Sequence, residues 1–123
     1  MGDNETDLKF RFEELQVYQK ALVFIDLAYD VTVKFPKEEK FGLSSQFQRA
    51  AYSIALNVAE GSGGTKAEFQ QFIRIARRSV RECVVCLTIA NRRGYITGQQ
   101  ESDMRKSCSV LSRMLSGLLN SLK

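Results

Sequence analysis

Histidine is absent from this chain of 123 residues, and so is tryptophan. Without histidine the chain lacks the commonest general base and the commonest metal ligand. Proline occurs once, at Pro36, so little interrupts the long helices joined by short loops that a helical bundle needs. Cysteine occurs three times, at Cys83, Cys86 and Cys108. An odd count without a secretory signal argues against a disulfide framework. Cys83 and Cys86 form a C-x-x-C inside a strongly helical stretch, whereas redox pairs sit at a helix N-terminus that lowers the thiol pKa. They are therefore expected to pack as small buried hydrophobes. No apolar run is long enough to span a membrane. The start, MGDNETDLKF, is acidic and has no apolar core of a signal peptide, so a cytoplasmic location is expected.

What is present is helical periodicity. Residues 1–10 are polar and aperiodic and are expected to be a disordered tail; residues 11–123 form the folded domain. A first helix is expected from Phe12 to Lys34. Leu15, Tyr18, Leu22, Ile25 and Tyr29 recur at spacings of three and four, and so do Val17, Ala21, Phe24, Ala28 and Val31. The two stripes lie on separate sides of the helix, so one can face a core while the other needs a partner. Phe35 precedes Pro36 and ends the helix. A second helix is expected from Ser45 to Glu60, with Ser45 and Gln48 at capping-box spacing, a seam of Phe47, Ala51, Ile54 and Val58, and Gly61 as a left-handed terminator. After a glycine-rich linker at 61–64, Thr65 and Glu68 form another capping pair. The third helix runs to Arg92 with a four-three seam of Phe69, Ile73, Ala76, Val80, Cys83, Leu87 and Ala90, and Gly94 stops it. A fourth is expected from Gln99 to Leu122 with Met104, Cys108, Leu111, Leu115, Leu118 and Leu122 inward. No segment alternates with period two, so the expected fold is all-α, an antiparallel up-down-up-down four-helix bundle.

The charge is unevenly placed. From Lys66 to Arg93 there are seven basic residues against Glu68 and Glu82, a net +5 within a chain of net +4. Arg74, Arg77, Arg78 and Arg81 follow i, i+3, i+4, i+7 and share one flank away from the apolar seam. Such a stripe suits either a solvated surface or contact with the phosphates of RNA or DNA, which guanidinium groups match bidentately. No zinc-finger spacing and no RNP-type aromatic motif accompanies it, so any such contact would read phosphate and shape and weaken with salt.

Along the second helix Arg49, Ser53, Asn57 and Glu60 make a polar row. With no histidine, no nucleophile beside a base and too few carboxylates for a metal cage, the row reads as a structural network rather than a catalytic or metal site. Glu60, at an unfavourable helix C-terminus, needs a donor such as Lys66, an arginine of the third helix or that helix's free N–H groups. GSGGTK, residues 61–66, departs from the phosphate-loop pattern and follows a helix rather than a strand. No cofactor is indicated.

The same residues carry a family resemblance. R-x-A-x-S-I-x-x-N-x-A-E-G is present as Arg49, Ala51, Ser53, Ile54, Asn57, Ala59, Glu60 and Gly61, and F-x-x-x-A-x-x-S-x-x-E as Phe72, Ala76, Ser79 and Glu82. With FEELQVYQKA before them and GYI after, the sequence resembles the 23S ribosomal RNA intervening-sequence protein family over residues 10–97. The resemblance implies a four-helix bundle without catalytic activity that assembles as a ring-like homo-oligomer, a pentamer. Ser79 and Glu82 of the second block are expected to belong to the same structural polar network as Arg49, Ser53, Asn57 and Glu60. The resemblance also implies likeness to the accessory variability protein of diversity-generating retroelements, which works with a reverse transcriptase and binds nucleic acid. One departure is Arg78, where the family usually has glycine. The leading expectation is an oligomeric nucleic-acid binder; the alternative is an adaptor whose basic stripe meets an acidic protein, such as a reverse transcriptase or a ribosome-associated factor.

Overall fold

In the computed structural model, which describes residues 8–123, the chain forms α1 (Gln16–Thr32), α2 (Leu43–Ser62), α3 (Lys66–Arg92) and α4 (Gly98–Ser121). One-turn 3-10 helices at Arg11–Glu14 and Lys37–Glu39 precede α1 and α2, and no strand occurs among the described residues. Each helix packs against its neighbours in chain order, and a sparser contact between α4 and α1 closes the ring. This is the antiparallel up-down-up-down bundle that the periodicity demands. The tail expected over residues 1–10 lies, for residues 1–7, outside the described residues.

Of the two stripes on α1, Val17, Ala21, Phe24 and Ala28 are buried, and Phe24 meets Phe47 of α2 edge to face at 6.3 Å. The other stripe rides the flank: Leu15, Tyr18 and Ile25 are half-buried, while Leu22 and Tyr29 are exposed. The helix begins at Gln16 rather than Phe12. Phe10's backbone N–H donates to Glu13 Oε2 at 2.8 Å, and this local cap holds residues 11–14 in a separate turn. The whole α3 seam is buried except half-buried Phe69. On α4, Met104, Cys108, Leu111 and Leu115 are buried as expected, but Leu119 replaces Leu118 at the end, because a straight helix drifts away from a strict heptad.

The ends of the helices differ more from expectation. The Thr65–Glu68 capping box forms, with Glu68 N–H donating to Thr65 Oγ1 at 3.1 Å and Thr65 N–H to Glu68 Oε1 at 2.8 Å. Gly94 takes φ +79° after α3, and Tyr95 N–H reaches back to Ala90 O at 2.8 Å, closing the helix with a left-handed turn. The Ser45–Gln48 box does not form, because α2 starts earlier. Glu39 Oε1 instead accepts from Leu43 N–H at 3.0 Å, and Gln48 donates to Thr32 Oγ1 across to α1. Gly61 is not a left-handed terminator. It is a buried helical residue, α2 continues to Ser62, and the connection is therefore shorter than the glycine-rich run suggested. A Cβ there would stand 2.6 Å from Phe72 Cβ and 2.9 Å from Phe69 Cδ1, so glycine is what lets α3 lie this close.

Glu39 also joins the two loops at one end of the bundle. Its Oε2 accepts from the Tyr95 hydroxyl at 2.8 Å, and the Tyr95 ring packs on Phe35 with centroids 5.2 Å apart. The Leu43 N–H, the Tyr95 hydroxyl and the nearby Arg93 hold its carboxyl below the ordinary value of 4.5. A depressed native pKa means that the unfolded chain binds the proton more readily, so stability rises with pH through this window. The contribution is present above 4.5 and lost as pH falls through the lower native value. The thermal midpoint of the wild type should therefore fall more steeply than that of Glu39→Gln between neutral pH and acid below that value. Parallel curves would show that the clasp contributes nothing.

Candidate nucleic-acid interface

Arg74, Arg77, Arg78 and Arg81 all stand exposed on the outer side of α3, opposite the buried seam. Among the described residues none of the four makes a hydrogen bond or ion pair. The ion pair found there joins Arg105 to Glu101 within α4, at 3.0 Å. The reason is positional. Glu82, the acid nearest the stripe on α3, is turned toward α2, where it accepts from Gln46 at 3.2 Å, and pairs with none of the four. The stripe is thus a set of unneutralised guanidinium groups held on a rigid helix.

The polar row is divided by the structure. Ser53 Oγ accepts from Asn57 Nδ2 at 2.9 Å and from the Ser79 hydroxyl at 3.0 Å, and Asn57 also donates to Ser53 O at 2.7 Å. These three residues, from the two sequence blocks, make a hydrogen-bonded seam between α2 and α3. Glu82 joins α2 through Gln46 instead. Arg49 is exposed and lines a cleft of about 300 Å³ with Gln46, Tyr52, Ser53, Leu56 and Glu82. Glu60 departs from the expectation that it needs a donor. It is exposed to solvent and makes no side-chain bond among the described residues, while the first turn of α3 is capped by Thr65 and Glu68.

The three thiols are buried, Cys83 and Cys86 on α3 and Cys108 on α4. Burial pushes Cys86 up to about 11 and Cys108 up to about 12, and raises Cys83 further still. Groups so far from ionising at neutral pH are poor nucleophiles and poor metal ligands. Among the described residues no three cysteine, aspartate or glutamate side chains group as a metal site. No helix there is long and apolar enough to cross a membrane.

Helical spacing alone puts the four arginines on one flank and Ser53 in line with Asn57, but the bond between those two within α2, rather than to a neighbouring helix, was not expected. Sequence reasoning also missed the Glu39–Tyr95 clasp and the Gln46–Glu82 bond, which join residues too far apart for any spacing rule.

Fold and surface together define an all-α four-helix bundle with a basic flank that the described residues leave unneutralised. The chain belongs to the 23S rRNA-intervening sequence protein family, whose model matches residues 13–117. A crystal structure of a protein of unknown function from the S23 ribosomal protein family of Bacteroides thetaiotaomicron is similar, with TM-score 0.78 and 24% identity over 85% of this chain and 95% of that one. At that identity the likeness concerns the fold. No curated protein matches the chain.

Proposed function

We propose that this protein is a non-enzymatic, cytoplasmic homo-oligomer that binds the phosphate backbone of RNA or DNA through Arg74, Arg77, Arg78 and Arg81. The observation that carries the reading is that all four guanidinium groups are exposed and unpaired among the described residues. Guanidinium groups free of internal acids are available to phosphate oxygens and release counterions when they bind. Assembly is supported by the apolar groups that α1 and the residue capping its end leave outside: Leu22, Val23, Leu27, Tyr29 and Val33. The pentamer is carried by the family resemblance, and light scattering measures it. A ring would repeat the stripe around its circumference and add avidity.

The test is an anisotropy titration of labelled structured RNA and duplex DNA against a control protein of equal net charge. Tighter binding than the control, weakening with salt, supports the reading. Binding no tighter than the control contradicts it, and capture of an acidic protein that nucleic acid cannot displace would favour the adaptor.

A further inference from the structure

We infer that the phosphate backbone runs along the groove between α3 and α4, with arginines on one bank and a row of serines on the other. The inference rests on the nucleic-acid reading above and locates its track. The starting observation is charge by halves. Residues 66–123 hold eleven basic and four acidic side chains, a net +7, whereas residues 1–65 hold seven basic and ten acidic, a net −3. The whole excess therefore lies on the α3–α4 side of the bundle.

Within that side the stripe is not uniform. Gln70, Arg77, Arg81 and Thr88 follow one another at spacings of seven, four and seven, which keeps them along one edge of α3. Both ends of this edge bond to α4. Gln70 Nε2 donates to Leu122 O at 2.7 Å, and Arg105 Nη2 donates to Thr88 Oγ1 at 2.7 Å. Arg77 and Arg81 therefore lean toward α4. Arg78 lies four residues before Glu82, which bonds to Gln46, so it leans toward α2.

The same bonds fix the antiparallel register. With Gln70 beside Leu122 and Thr88 beside Arg105, Arg77 falls level with Ser116 and Arg81 with Ser112. Ser109, Ser112 and Ser116 continue the side of α4 that carries Arg105, at spacings of four, three and four. Ser109 is exposed, and Ser112 and Ser116 are half-buried at the rim. Arg113, which donates to Ser109 Oγ at 3.3 Å, adds a cation on the outer side of this bank. The groove thus offers guanidinium forks opposite small hydroxyls, which let a backbone approach closely and donate to phosphate oxygens. Arg77 and Arg81 are about 6 Å apart along the axis at 1.5 Å per residue. That is close to the separation of successive phosphates on one strand. An acidic protein surface could meet the charge, but would draw nothing particular from a serine bank.

The experiment titrates the full chain with labelled single-stranded RNA, single-stranded DNA and duplex DNA, comparing single variants at fixed salt. If each phosphate contact contributes about 0.9 to the salt exponent, R77A and R81A should each weaken duplex binding by roughly eightfold at 0.1 M salt. R78A, which leans toward α2, should weaken it less than either, by about threefold, as expected for a charge at the margin of the track. S112E and S116E should each weaken binding at least as much as R77A, and S112K should strengthen it. Circular dichroism identifies any variant that fails to fold; S112K, a gain rather than a loss, keeps the test decisive if the glutamate variants do. Equal losses from R77A, R78A and R81A, with no response to S112E or S112K, would overturn the groove while leaving the nucleic-acid reading intact. Absence of wild-type binding to all three probes would end both.

Discussion

Replacing Arg74, Arg77, Arg78 and Arg81 together with alanine is expected to lower affinity for duplex DNA by about a thousandfold at 0.1 M salt, with the bundle intact. The magnitude follows from counterion release: three to four phosphates at about 0.9 each in the salt exponent give roughly three decades at that concentration. The fold should survive because all four side chains are exposed and bond to nothing among the described residues. Exposed substitutions of this kind usually stay within about 0.5 kcal/mol each. Fluorescence anisotropy reads the loss and circular dichroism checks the fold. Unchanged affinity in a folded quadruple variant would remove the stripe from the account.

The second large effect concerns stability. Gly61→Val is expected to destabilise the bundle by about 3 kcal/mol, the upper range for forcing extra atoms into a packed contact. The first added atom would stand 2.6 Å from Phe72 Cβ, and Phe69 closes the other side. Separation of α2 from α3 is the available relief, and it would strain the Ser53–Ser79 hydrogen bond on the same seam. The thermal midpoint should fall by roughly 10–20 °C for a domain of this size. Gly63→Ala is the control, since a Cβ there meets only Glu60 O at an ordinary 3.6 Å. Equal midpoints for Gly61→Val and the wild type would mean that the two helices do not approach so closely.

The bundle was legible in the sequence because its core depends on local periodicity. The α3 seam from Phe69 to Ala90 states its own helix, and the Thr65–Glu68 and Gly94 signals bound it at both ends. Gly61 shows where such reading stops. A glycine after a helical run marks a terminator when only the local chain is considered, yet its role here is set by Phe69 and Phe72 on the next helix. The start of α2 was misplaced for a related reason. Its cap is the carboxylate of Glu39 acting on Leu43 N–H, outside any Ser-x-x-Gln pattern. The basic stripe was visible from spacing, but its lean toward α4 was not. That depends on the Gln70–Leu122 and Arg105–Thr88 bonds, which join residues distant in sequence. The exposure of Glu60 and the division of the polar row likewise follow from how α2 and α3 meet.

The salt dependence of wild-type binding tests the central claim most directly. Measured from 50 to 300 mM salt, log K against log salt for duplex DNA should fall on a line with slope near −3 per bound chain, flattening by about one for each of Arg77 and Arg81 removed. A slope near zero, or one that neither substitution changes, would contradict phosphate binding by this face.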